Sequence, residues 1–380
     1  MKYVDEFRDK NLARKLAATI KSEVDPRRQY HIMEFCGGHT HAIFRYGVPD
    51  LLPGNVHFVH GPGCPVCVLP IARIAQAMEL AERHKVILCT YGDMMRIPAE
   101  NRRSLLTARA DGADIRMVYS TQDALKIARD NPQRQVVFFA IGFETTTPPS
   151  AVAIRQAAAE GLTNFSLFSN HVLTPAAIGH IMQSPGSGDP NAVCIDGFLG
   201  PSHVSAIIGS RPYEYFAEEF SKPVVITGFE PLDVMQACLM LVRQINSGRH
   251  DVENQYTRVV TLNGNLKAQQ LVSEVFELRE TFEWRGLGEV PDSALKIRKA
   301  YGKYDAEKLY ELTGSKASDV RGCECPAILR GQKKPTDCKL FGTVCTPENP
   351  MGSCMVSSEG SCAAYWSYGR YHLHKEAESA

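Results

Sequence analysis

Three groups of residues in this 380-residue chain have the types and spacing that chemistry requires. In HGPGCPVC, Cys64 and Cys67 stand three apart, between a Gly/Pro turn and a helical pattern. Such a pair fits a redox dithiol, half of a zinc knuckle, or part of a seat for another soft metal. At the first turn of a helix the unpaired N–H groups favour a thiolate, so both sulfurs are read as reactive. In EFCGGHTHAIF, Cys36 precedes Gly37 and Gly38, which permit close approach of a ligand to the backbone. His39 is read as a hydrogen-bonding or proton-transfer group in preference to a ligand, and His41 as less involved. If the two loops leave one sheet edge, Cys36, Cys64 and Cys67 converge into a soft site suited to zinc, iron or copper(I).

The third group is C-x-C-x12-C-x6-C-x8-C-x7-C, formed by Cys323, Cys325, Cys338, Cys345, Cys354 and Cys362. Structural zinc prefers two close C-x2-4-C pairs, and only one close pair occurs here. A [4Fe–4S] cluster needs four thiolates on a Gly/Pro-rich wrap, which the spacing fits better than zinc. Six cysteines for four positions leave two that could form a redox disulfide, and spacing does not say which two. By contrast Cys89, Cys194 and Cys238 sit in apolar runs and read as buried, inert thiols.

Short apolar runs must position these loops. HIMEF (31–35), VHFVH (56–60), KVILCTY (85–91) and IRMVYS (115–120) alternate with helical patterns, the longest at 68–84. The rhythm resumes with QVVFFAIGF (135–143), NFSLFS (164–169), AVCIDGF (192–198) and KPVVITGF (222–229). Buried parallel strands with crossover helices predict an α/β fold with two doubly wound parallel-sheet domains. RVVTLNGN (258–265) is a candidate last strand and 269–280 a helix leading out of it. From about residue 286 strands are expected to cease, leaving a Cys-rich, mainly helical and loop segment organised by a metal centre. The partition is an N-terminal helix (1–25) packing on the C-terminal domain, α/β domains at 26–121 and 122–265, and an iron–sulfur domain at 266–380. SPGSGD (184–189) reads as a surface turn.

Other strand-end loops add polar candidates. In GFETTTPPS, Glu144 is suited to ligand binding or proton transfer, whereas Thr147 and Pro148 are explained by helix capping. Asp93, His171, His203 and Glu230 occupy equivalent positions.

Composition excludes several classes. Lys+Arg and Asp+Glu balance at 42 each, so no field draws the molecule to nucleic acid or an anionic membrane. The charged N-terminus lacks a signal-peptide core and a membrane span, which predicts a cytoplasmic protein. In the reducing cytosol its 12 cysteines point to metal or redox chemistry. Neither a phosphate loop nor a dinucleotide fingerprint occurs.

EFCGGHTH, GPGCPVCV, GFETT and the final CEC…DCKLFGTVCTPENPMGSCMVSSEGSCAAYW, in this order and over essentially the whole chain, resemble the HypD family of [NiFe]-hydrogenase maturation proteins. The resemblance implies a scaffold that, with a small partner HypC, assembles the Fe(CN)2CO group of the hydrogenase active site. Cyanide would arrive from HypE, and the finished group would pass to the hydrogenase large subunit. It further implies two α/β domains facing a cleft and a third, [4Fe–4S] domain whose surroundings are similar to those in ferredoxin:thioredoxin reductase. Cys36, Cys64 and Cys67 match the family's cleft cysteines, with His39 and Glu144 in its other motifs. By analogy with the reductase, Cys325, Cys338, Cys345 and Cys362 are the expected cluster ligands and Cys323 with Cys354 the redox pair.

Two other readings compete with this metallo-scaffold, which need not be a conventional turnover enzyme. One is an iron–sulfur thiol–disulfide oxidoreductase using Cys64 and Cys67; a simple exchanger has no use for Cys36 or GGHTH. The other is a zinc-dependent structural protein, which the uneven C-terminal spacing disfavours.

Overall fold

The computed structural model describes residues 5–183, 193–313 and 320–369, so SPGSGD lies outside the described residues. Its parallel strands are β1 (Tyr30–Glu34), β2 (Val56–His60), β3 (Ile87–Thr90), β4 (Ile115–Met117), β5 (Val136–Gly142), β6 (Phe165–His171), β7 (Gly197–Pro201), β8 (Val224–Thr227) and β9 (Val252–Asn254). They form two sheets, ordered β2-β1-β7-β8-β9 and β4-β3-β5-β6, in which every pairing is parallel. Both β5 and β6 are buried along their whole length, as continuous apolar runs covered on both faces require. The fold is α/β.

The chain does not divide at 121/122. It lays down two strands of the first sheet, then four of the second, and returns to complete the first with β7, β8 and β9. β1 pairs with β7 in the register Ile32↔Gly197, Met33↔Phe198 and Glu34↔Leu199. Apolar runs mark where strands are; which strands become neighbours depends on mutual burial across the chain, which periodicity does not encode.

The first helix, Lys10–Glu23, is capped by Asp9, whose Oδ1 accepts from the Asn11 and Leu12 amides at 2.8 and 2.9 Å. It packs on the helix Pro231–Ser247 over the first sheet, not on the C-terminal segment as expected. Ile20 and Val24 share a core with Met235, Leu239 and Val242, and Arg243 clamps Glu23 with two 2.7 Å bonds. An apolar stripe says that a helix is covered without saying by what.

Strands also continue past residue 286. The helix Leu266–Val275 stops where Phe276 opens β10 (Phe276–Leu278), followed by β11 (Thr281–Trp284), β12 (Gly288–Pro291) and β13 (Leu295–Ile297). β10 pairs antiparallel with β13, and β11 with β12, with Phe282 and Trp284 buried and their neighbours exposed. This ribbon leans on the second sheet: Ser169 Oγ donates to the Leu295 carbonyl at 2.9 Å, and the Leu173 amide to Ser293 at 2.8 Å. The candidate strand 258–265 is not formed; β9 occupies that sheet edge. Beyond residue 320 the described chain is turns and very short helices, among them Cys325–Leu329 and Ser361–Ala364. No helix among the described residues is long and apolar enough to cross a membrane.

Candidate functional site

In the first sheet β1 lies between β2, which follows it directly, and β7, which arrives much later. The carboxyl ends of β1 and β7 therefore flank a topological switch point, where open α/β sheets leave a crevice. Cys36 stands just beyond β1 and His203 just beyond β7, with Cys36 Sγ 3.2 Å from His203 Nδ1. The turn after β2 comes to the same place, since the Gly37 amide donates to the Gly63 carbonyl at 2.8 Å. Position 63 admits only glycine without movement, because a Cβ there would lie 2.2 Å from the Cys36 nitrogen.

Gly63 leads directly into Cys64, whose Sγ accepts from the Cys67 amide at 3.2 Å and caps the helix Pro65–Val68. Cys64 and Cys67 are joined in a disulfide. The helix anticipated at 68–84 is broken at Leu69–Pro70 and restarts as Ile71–Glu82, because proline removes a donor and clashes with the preceding turn. The dipole beneath Cys64 is therefore that of four residues, not of a long helix. Cys36, Cys64 and Cys67 are 1%, 3% and 0% exposed, so the sulfurs are enclosed and do not line an open cleft. Burial holds the Cys36 thiol well above its usual range, and Glu359 and Glu34 add to the effect.

His39 is buried, and its Nε2–H donates to the Thr227 carbonyl at 3.0 Å, which leaves Nδ1 without a partner. The group bonded to Cys36 is instead His203, whose ring also faces Phe229. Burial lowers His203 to about 4, so a neutral imidazole meets a neutral thiol. Beneath them lies the fully buried Glu34, which accepts from the Cys36 amide at 3.2 Å, Thr40 Oγ1 at 2.5 Å and His60 Nδ1 at 2.6 Å. The other His60 nitrogen is 3.2 Å from the Tyr365 hydroxyl, which carries the network into the C-terminal segment. Glu34, His60 and Tyr365 were not singled out from the sequence; a carboxylate inside the apolar run HIMEF was the available signal.

The C-terminal cysteines gather beside this site. Cys325, Cys354 and Cys362 are buried in one cluster of side chains, and a Cβ on Gly352 would stand 2.6 Å from both Cys323 Sγ and Cys325 Sγ. Cys345 Sγ accepts from the Met351 amide at 3.4 Å, and Cys338 is buried in the same cluster of side chains. None of the six is in a disulfide. A sulfur-only set larger than one tetrahedral zinc can use, wrapped on glycine-bearing turns, fits a thiolate-ligated cluster. Ser353 joins the two regions: its Oγ donates to the Cys67 carbonyl at 3.0 Å, and Cys67 Sγ is 3.9 Å from its carbonyl oxygen. The helix Ser361–Ala364, which carries Cys362, packs on the helix Gly37–Arg45 that begins at Cys36.

Glu144 does not join the thiols. Its carboxylate accepts from the Thr174 amide at 2.8 Å and Thr174 Oγ1 at 3.0 Å, and burial pushes its pKa up to about 7. With Leu173, Ile208, Phe276 and Arg298 it lines a cavity of about 300 Å³. Buried Tyr213 lies within electrostatic reach of both Glu144 and Cys36. His41 packs edge-on to Tyr368. His171 pairs with Ser150 at 2.9 Å and Glu230 with Arg8 at the surface, whereas Asp93 approaches Glu359, which stands over Gly37. Cys89 and Cys238 are buried, and burial raises both to about 12. Cys194 is exposed, contrary to expectation, because β7 begins only at Gly197 and the residues before it lie outside the ladder.

The HypD profile, described as "Hydrogenase formation hypA family", matches residues 11–369. The chain is 65% identical over 371 residues to the hydrogenase maturation factor HypD of Rhizobium leguminosarum bv. viciae, covering 98% of this chain and 96% of the relative. It is 64% identical over 371 residues to HypD of Cupriavidus necator, covering 98% of each. Against HypD of Escherichia coli it is 44% identical over 373 residues, covering 97% of this chain and 98% of the relative. With motifs, fold and end-to-end similarity in agreement, the chain belongs to the HypD family of hydrogenase maturation factors.

Proposed function

We propose that this chain is a cytoplasmic scaffold that, together with HypC, holds iron on Cys36, Cys64 and Cys67 while its cyanide and carbonyl ligands are installed. HypE would deliver the cyanide, and the hydrogenase large subunit would receive the finished group. The observation that carries the reading is the meeting of Cys36, His203 and the Gly63–Cys64 turn at the switch point of the first sheet. Low-spin iron with cyanide and carbonyl ligands calls for soft, electron-donating thiolates. When Cys36 sulfur bonds to iron its S–H bond breaks, and His203 Nδ1, already 3.2 Å away and neutral, accepts the proton. His39, held by Thr227 with Nδ1 unpaired, would orient a ligand's hydrogen-bond donor. Glu144, half ionised near pH 7 but remote from the sulfurs, would act through its own cavity.

Opening the Cys64–Cys67 disulfide takes two electrons and two protons and yields the two further thiols. Cys325, Cys338, Cys345 and Cys362 would hold a [4Fe–4S] cluster, with Cys323 and Cys354 as the adjoining redox pair; a bound cluster supplies one-electron chemistry there. The contact between Ser353 and Cys67 also favours thiol–disulfide exchange as a partial activity of the same site. Infrared spectroscopy of anaerobic protein with HypC separates the readings. Cyanide and carbonyl stretching bands that vanish in Cys36→Ala support the scaffold, and their absence from wild-type protein with intact iron defeats it.

A further inference from the structure

The first sheet carries a second cluster of metal-ligating side chains at the opposite, amino-terminal end of its strands. His31 opens into β1, Asp196 immediately precedes β7, and Cys194 lies two positions before it. The His31 ring nitrogen, the Cys194 sulfur and an Asp196 carboxylate oxygen all lie within 4.8 Å of one another. We propose that these three residues form a site for a zinc ion with one coordination position left open.

The geometry is set by the sheet. The Asp196 amide donates to the His31 carbonyl at 2.8 Å, and the His31 amide donates to Asp196 Oδ2 at 2.8 Å, so the two residues are tied by one backbone bond and one bond to the ligating carboxylate itself. His57 stacks on His31 at 5.3 Å between ring centroids and is itself held by Gln29, so the imidazole plane is fixed as well. His31 Nδ1 is shielded from solvent and has no hydrogen-bond partner, although Asp196 Oδ2 stands 3.4 Å away. A buried polar atom aimed at a carboxylate without bonding to it leaves part of its desolvation cost unmet, and a cation between them removes that cost. Arg28 also reaches Asp196, with a long 3.3 Å bond to Oδ1, so Oδ2 carries only the bond from the His31 amide and keeps a second lone pair for the ion.

Donor chemistry selects the ion. One imidazole, one thiolate and one carboxylate are a borderline-soft set, which suits zinc; calcium and magnesium require oxygen ligands. Three protein ligands with an exchangeable fourth position differ from the all-sulfur groups elsewhere in the chain. Bound there, the ion would bridge the start of β1 to the residues entering β7, the two strands whose other ends carry Cys36 and His203.

The test is a titration of the anaerobic full-length protein with Co²⁺, read by its thiolate charge-transfer absorption, followed by displacement with Zn²⁺. Wild type should bind one equivalent more than Cys194→Ser or His31→Gln, or bind it at least about tenfold more tightly. Cys36→Ala should keep that equivalent, which separates this site from the thiols at the other sheet edge. Equal stoichiometry and affinity in wild type and Cys194→Ser would overturn the proposal, as would loss of the equivalent in Cys36→Ala alone. Since Cys194 is exposed, its substitution leaves the fold intact even if His31→Gln does not.

Discussion

The two parallel sheets each have a switch point, between β1 and β7 in one and between β3 and β5 in the other, yet their loops are used differently. At the first, Cys36 faces a neutral His203, and His39 keeps an unpaired nitrogen inside the protein. At the second, Glu144 is engaged by two donors from Thr174. Topology supplies the position in both cases. Each edge keeps one buried histidine nitrogen unpaired, His39 Nδ1 at the first and His171 Nδ1 at the second, so what distinguishes them is the donor set, a thiol against a neutral imidazole in one and a carboxyl held by two donors in the other.

The comparison breaks most severely at Gly63. Alanine would place a Cβ against the Cys36 backbone, which cannot rotate away, so Gly63→Ala should cost at least about 3 kcal/mol in urea unfolding. Unchanged stability would mean that the two thiol loops do not touch.

A sharper contrast comes from the second edge, through pH. The folded Glu144 carboxyl titrates near 7, against an ordinary value of 4.5, so unfolding releases its proton over that window. Wild-type stability should therefore fall as pH rises from 4.5 through 7, by up to about 3 kcal/mol. Glu144→Gln should flatten that decline and be the more stable protein at pH 8, as thermal unfolding across the range will show. A variant equally steep in pH would remove burial as the cause.

The smallest effect belongs to the outer cover of the first sheet. Arg243 is half exposed, so Arg243→Ala should lose only about 0.5 kcal/mol and leave both switch points unaltered. A loss of several kcal/mol would show that the N-terminal helix is integral to the first edge.

Much of this was legible in the residues. β1 to β6 and β8, the three cysteine groups and the strand-end position of Glu144 follow from apolar runs and turn formers, because those signals are local. The β10–β13 ribbon was missed because short alternating stretches with few apolar residues resemble loop. Cys194 was misjudged because an apolar run was equated with a strand, when the ladder starts only at Gly197.

By itself the sequence determined that the chain is α/β, that its thiols fall into three neighbourhoods, and which family it belongs to. Only the tertiary structure decided that β1 pairs with β7 from the far half, that His203 and not His39 meets Cys36, and that Ser353 brings the last cysteines to Cys67. Each of these is a contact between residues distant in the chain. Such contacts arise from burying one surface against another, and no local pattern records which surface that will be.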